Sequence, residues 1–310
     1  MIWTGRLDGE EPLYHRIFQR VAVESDYNSI SPNDFVLHGF AVDEGVRRNK
    51  GRVGAKEAPD VIRRNISNFP VVDPKFLLKD FGNITCEDKD LERAQAELAE
   101  KIHISLGKGA KSVIFCGGHE VTYAHYTGVQ RAFPKQKVGI VNFDAHFDNR
   151  EIDPQVGPTS GTGFSQIAAE GIVNSLHIGI QRNSNTLKLF DTAHRTGMNY
   201  ILAEEVFFEN LPALYSKIED FCTQTDILYV TICMDVFNAS IAPGVSALSY
   251  NGLFADAALM HLLKKIMQNP KLKAMDVAEV NPTFDRDEMT ARLAAALINE
   301  WFILPETAAE

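Results

Sequence analysis

Seven short runs of this chain are apolar almost throughout, and helix-patterned segments separate nearly all of them. The runs cover 35–42, 112–116, 137–143, 175–180, 199–202, 226–234 and 274–280. A strand with one wet face alternates apolar and polar residues; a continuous run signals burial on both faces. Between the runs, apolar residues recur three or four apart, predicting helices that open at 58 and span 88–106, 121–133, 185–195, 211–222, 254–267 and 288–304. Repeated β-α order with doubly buried strands predicts an α/β fold: a central, mostly parallel sheet between two helix layers. No linker, repeat or low-complexity tract interrupts it, so one domain over 1–310 is expected. Ligands of such sheets sit beyond the carboxyl ends of the strands, so the residues at the strand exits are the ones to examine.

The exit after 137–143 reads Asp144-Ala-His146-Phe-Asp148. Residues two apart on an extended segment point the same way, so two carboxylates and an imidazole aim at one spot. A lone Asp or His there is normally a cap or turn former. Three on one face are too costly to bury unpaired, and that chemistry suits a divalent cation. Other exits add Gly117-Gly118-His119-Glu120, Asp235, and Glu279 ahead of Asn281-Pro282. Two imidazoles and three carboxylates suit a pair of divalent ions such as manganese. Such a pair can lower the pKa of a water from 15.7 toward ~7.

Composition narrows the partners. A net charge of -10 and a pI of 5.4 argue against nucleic acid and anionic membranes, leaving a small-molecule substrate. The N-terminal segment is polar, without the basic-then-apolar order of a secretory signal, and no apolar stretch reaches the ~20 residues of a membrane helix. Cysteines at 86, 116, 222 and 233 have no paired spacing, so a disulfide scaffold is not expected and the cytoplasm is the expected compartment.

Four motifs together resemble the ureohydrolases, the arginase and agmatinase superfamily: Gly117-Gly-His-Glu120, Asp144-Ala-His-Phe-Asp148, Ala242-Pro-Gly-Val-Ser246 and Ala278-Glu-Val-Asn-Pro282. Within it the chain is most similar to the formimidoylglutamases, through Arg48-Asn-Lys-Gly-Arg52, His146-Phe-Asp-Asn-Arg150 and Ser160-Gly-Thr162. The resemblance implies an arginase-like three-layer α/β/α fold, two Mn2+ per subunit, a homo-oligomer, and hydrolysis of N-formimidoyl-L-glutamate to L-glutamate and formamide in histidine degradation. Carried over, His119, Asp144 and Asp148 would hold one metal, and Asp144, His146 and Asp235 the other. A metal-bridged hydroxide would attack, with Asp148 orienting it and Glu279 pairing with the cationic formimidoyl nitrogen. Arg150 would clamp a substrate carboxylate, with Ser160 and Thr162 lining that end and Asn49 and Arg52 as further candidates. An alternative, a guanidino compound with a cationic tail, would look to Glu151 or Asp153.

The chain departs from the family pattern in three places. Phe164 stands where arginases carry a histidine, as it does in formimidoylglutamases, which leaves the acid for the leaving group unassigned. Asn238 replaces a further Asp. Most importantly, Thr231-Ile-Cys-Met-Asp235 places Cys233 where the family's Asp-x-Asp has the acid that bridges both metals. Three outcomes stay open: a thiolate ligand in an altered centre, a slower single-metal site, or a metal-poor, inactive relative.

Overall fold

The computed structural model describes residues 2–171 and 173–304. In chain order the elements are β1 (Val21–Val23), β2 (Phe35–Ala41), α1 (Glu44–Arg48), α2 (Ala58–Ile66), β3 (Leu78–Thr85), α3 (Leu91–Gly107), β4 (Lys111–Cys116), α4 (Val121–Ala132), β5 (Val138–Phe143), α5 (Gly163–Glu170), β6 (Ser175–Ile180), α6 (Leu187–Thr196), β7 (Asn199–Leu202), α7 (Leu211–Thr223), β8 (Ile227–Cys233), α8 (Ala257–Met267), β9 (Leu272–Ala278) and α9 (Met289–Ile303). The nine strands form one sheet in the order β1-β3-β2-β4-β9-β8-β5-β6-β7. Every pairing between named strands is parallel, where a mostly parallel sheet was expected.

Alternate residues of each strand enter different cores. Val113 and Phe115 of β4, with Val230 and Ile232 of β8, pack under α2, α7, α8 and α9. Ile114 and Cys116, with Tyr229, pack under α3, α4, α5 and α6. That division is the α/β/α layering, and it explains why the strands read as unbroken apolar runs. No helix among the described residues is long and apolar enough to cross a membrane.

Two strands and two helices, the five-residue α1 and α5, were not anticipated. β1 has only three residues, too short for a pattern to register. β3 carries Asp80 and Asn83 among its eight residues, so it lacks an apolar run. Those polar groups are satisfied by the buried Arg63 of α2, whose Nε donates to Asp80 Oδ2 at 2.9 Å and Nη2 to Oδ1 at 2.7 Å. Helix α1 lies in a segment that reads as a loop rich in glycine and basic residues, and α5 opens at Gly163 inside what reads as a glycine-rich loop.

The order of the strands places the site. β4, β9, β8 and β5 are adjacent at the middle of the sheet. They are the four strands whose exits carry His119, Glu279, Asp235 and Asp144. The chain runs from β4 directly to β5 and fills the gap between them later with β8 and β9, which leaves a crevice at their carboxyl ends.

Candidate metal centre

Each exit is shaped to turn a side chain over the sheet edge. After β4 the backbone passes so close to its neighbour that a Cβ on Gly117 would lie 2.0 Å from the Val42 carbonyl oxygen. Only glycine fits there, and His119 follows with its side chain buried. Glu279, directly after β9, donates its N–H to the Gly117 carbonyl at 2.7 Å. Its Oε1 accepts the His119 N–H at 3.0 Å. Glu279 (φ 67°) and Asp148 (φ 46°) both adopt left-handed backbone conformations. That conformation costs a non-glycine residue free energy, and such strain concentrates at functional sites.

The five acid and imidazole side chains meet. Single donor atoms of Asp144, His146 and Asp235 lie within 4.8 Å of one another, as do those of His119, Asp144 and Cys233. Asp144 belongs to both groups. His119 Nδ1 is 3.0 Å from Asp144 Oδ2 and 2.9 Å from Asp148 Oδ2. His146 Nδ1 is 3.1 Å from Asp235 Oδ2 and 3.4 Å from Asp144 Oδ1. Glu279, Arg150, Ser160 and Cys233 line the same pocket.

A hydrogen-bond relay behind the cluster assigns the His119 tautomer. Buried Asp276 accepts from Tyr229 Oη at 2.6 Å and from Thr231 Oγ1 at 2.6 Å, and lies 2.6 Å from His125 Nδ1. Thr231 spends its one hydroxyl proton on Asp276, so it accepts from His119 Nε2–H at 2.9 Å. The lone pair of the neutral ring is therefore on Nδ1 and faces the carboxylates. This arrangement of a metal-binding imidazole held from behind recurs in metal sites.

The electrostatics ask for positive charge. Burial by itself would keep the His119 and His146 rings neutral. The carboxylates around them outweigh burial and raise both rings well above the ordinary imidazole range. Burial, then the Asp144 charge, pushes Asp148 up to about 6. Burial, then the charges of Glu120 and Asp235, pushes Glu279 up to about 8. Asp235 Oδ1 and Glu279 Oε2 are buried with no hydrogen-bond partner. A buried acceptor without a partner costs roughly 1–3 kcal/mol. Imidazole lone pairs, unsatisfied carboxylate oxygens and surplus negative charge in one pocket fit divalent cations.

The other anticipated residues divide. Arg150 is exposed on the pocket wall, and its guanidinium makes no ion pair among the described residues. Ser160 lines the pocket and accepts from Asn49 Nδ2 at 3.2 Å. Thr162 does not reach the pocket: its hydroxyl donates to the Thr159 carbonyl at 3.0 Å and accepts the Thr159 N–H at 2.8 Å, closing its own turn. Arg52 is also occupied. Its guanidinium binds the Val245 and Ser246 carbonyls and lies 4.3 Å from the Phe284 ring centroid, pinning the 242–247 loop. Asn238 closes a turn by donating to the Tyr250 carbonyl at 2.6 Å. Phe164 is fully buried with its ring 4.4 Å from that of His177. Sequence reasoning passed over Thr231, Tyr229 and Asp276, which lie within apolar runs and carry no signal of their own.

Comparison with known proteins agrees with this geometry. The arginase family model matches residues 33–303. The chain is 42% identical over 306 residues to a formimidoylglutamase of a Geobacillus strain, covering 96% of this chain and 93% of that protein. It is 38% identical to a formimidoylglutamase of Staphylococcus aureus, covering 97% of each. The crystal structure of Bacillus subtilis formimidoylglutamase superposes with a TM-score of 0.84 over 93% of this chain and 91% of that one, at 24% identity, and supports the fold. A Trypanosoma cruzi formiminoglutamase solved with manganese superposes with a TM-score of 0.79 at 25% identity, over 87% of this chain and 93% of that one. On its sequence, its sheet and the side chains gathered at the sheet's edge, the chain belongs to the arginase family.

Proposed function

We propose that the protein hydrolyses N-formimidoyl-L-glutamate to L-glutamate and formamide, a step of histidine degradation, with two manganese ions per subunit. His119, Asp144 and Asp148 would hold one ion, and Asp144, His146 and Asp235 the other. Ions held there supply Lewis acidity that brings a water's pKa toward neutrality. Asp148, on the wall of the same pocket, would accept a hydrogen bond from that water and orient it. Glu279 meets the formimidoyl group: its unpartnered Oε2 accepts from an amidinium nitrogen, and the substrate's positive charge makes the carboxylate form favourable. Arg150 takes the substrate's carboxylate and Ser160 the polar end beside it.

The observation that carries this reading is that Glu279 and an uncommitted Arg150 line the same pocket as His119, His146, Asp148 and Asp235. A substrate with an amidine at one end and a carboxylate at the other matches it. The relatives named formimidoylglutamase, 37–42% identical over nearly the whole chain, support the same substrate. A cationic guanidino substrate is less well served. Glu151 pairs with Lys188 at 3.1 Å, and Asp153 accepts the Gln155 N–H at 2.8 Å within its own turn. The protein is further proposed to work as a cytoplasmic homo-oligomer, which sedimentation of the purified chain would test. The activity test is formamide release from N-formimidoyl-L-glutamate after manganese loading, run beside agmatine and guanidinobutyrate. Turnover of the formimidoyl substrate alone is the expected result; preference for either guanidino compound overturns the assignment.

A further inference from the structure

The geometry points to Cys233 Sγ as a metal donor. We propose that it adds a sulfur donor to the His119 side of the cluster, so that this side, which accepts manganese in the reading above, binds thiophilic divalent ions of the zinc and cobalt class more tightly. The inference rests on the reading of this pocket as a metal centre, and its test separates the two.

Cys233 ends β8 at the middle of the sheet, and its side chain is almost fully buried. Its sulfur lies within 4.8 Å of single donor atoms of His119 and Asp144. It also lines the pocket in which Asp235 Oδ1 and Glu279 Oε2, each on a side chain more than nine-tenths buried, find no partner. The ordinary role of a buried cysteine is that of a small apolar side chain. Cys116 plays it, packed among Ile114, Val121 and their neighbours in the core beneath α3 and α4. Cys233 has a different environment: its sulfur shares a pocket with Asp148, Asp235 and Glu279 and lies within 4.8 Å of single donor atoms of His119 and Asp144. Its thiol interacts with the Asp235 carboxylate, so the sulfur stands among the candidate ligands and not in an apolar core.

Donor chemistry determines what it binds. Thiolate, imidazole and carboxylate together, with an open position, form a zinc-type set, whereas manganese prefers oxygen and nitrogen. The second group, Asp144, His146 and Asp235, has no sulfur within its donor set. The two halves of the cluster therefore differ in softness. Charge agrees: Asp144, Asp148, Asp235 and a Cys233 thiolate offer four negative charges, the number two divalent ions neutralise. Binding replaces the S–H bond with a sulfur–metal bond and releases one proton to solvent.

The test is cobalt titration of the full chain after chelator treatment, followed by absorbance. The expected result is a sulfur-to-cobalt charge-transfer band in the near ultraviolet, saturating at one equivalent and absent from Cys233→Ser and Cys233→Asp. The ratio of zinc to manganese affinity should also fall about tenfold or more in Cys233→Asp. Cobalt bound by the wild type without the band, or a band that persists in Cys233→Ser, overturns the proposal. So does an unchanged metal ratio. Circular dichroism verifies that the variants fold, and the wild-type spectrum decides by itself if they do not. Formamide release is measured on the same preparation. Turnover without the band removes only the sulfur ligand, whereas the band without turnover removes only the substrate assignment.

Discussion

At the scale of single residues, the recognition roles proposed for Glu279 and Arg150 differ, and substituting each should leave a different kinetic trace. Glu279→Gln keeps the shape and the bond to the His119 N–H but removes the charge that faces the amidinium. A hydrogen bond to a charged group is worth ~1.5–3 kcal/mol, so formamide release per enzyme should fall about 10–100-fold. Arg150→Ala should instead raise KM with kcat nearly unchanged, because its contact to a remote carboxylate is equally present in substrate and transition state. Steady-state kinetics on both variants checks the division; a collapse of kcat in Arg150→Ala would place the guanidinium at the reacting carbon. Asp144, His146 and Asp148 were legible in the sequence as a group by residue type and spacing, but they converge through a bend, with the His146 N–H donating to Asp144 Oδ1 at 2.7 Å and Asp148 at φ 46°, and not along an extended segment. The opposite was true of Thr162, whose hydroxyl is consumed by its own turn, a fact that depends on how residues 159–162 fold back.

At the scale of elements, two connections tie distant segments together, and the first of them stands behind the site. The first runs from β9 through Asp276 to Thr231 of β8 and on to His119 beyond β4. Thr231→Val removes the acceptor that fixes the His119 tautomer while nearly preserving volume. Loss of such a supporting hydrogen bond commonly weakens metal binding 10–100-fold, so manganese titration calorimetry should show a drop of about that size without unfolding. The second connection ties α2 to β3 through the Arg63–Asp80 pair, in which the arginine side chain is 1% exposed. Asp80→Ala would leave the buried guanidinium with the Asp60 carboxylate, 3.2 Å away, as its remaining charge partner, so the loss should stay below the ~3–5 kcal/mol of a fully stranded charge, read as a lower urea midpoint. These pairings also explain the elements that pattern reading missed. β3 is a strand because Arg63 of the preceding helix α2 satisfies its polar groups. Periodicity within residues 78–85 contains no trace of that partner.

At the scale of the whole molecule, stability should depend on pH through buried histidines outside the cluster. His38 is fully buried among Tyr27 and Phe81, and burial, then the charge of Lys101, pushes it down to about 3 from the usual 6.5. Between those values the unfolded chain binds a proton that the folded chain does not. Stability is thus complete above about pH 6.5 and declines as pH falls toward 3, by at most ~1.4 kcal/mol per pH unit for this one group. In His38→Gln the slope of unfolding free energy against pH should flatten by one proton over that window. An identical slope in the variant would mean that His38 is protonated in the native state.

The sequence by itself determined the α/β class, the strand runs that carry the site and the residue types at their exits. Burial on both faces, the reach of alternate side chains and the need of clustered carboxylates for a cation are all local consequences of composition and spacing. Only the tertiary structure decided that β4, β9, β8 and β5 lie side by side, that Asp276 and Thr231 stand behind His119, and that the Cys233 sulfur joins His119 and Asp144. Those relations join residues up to 160 positions apart, as between His119 and Glu279, and strand order is set by packing over the entire sheet.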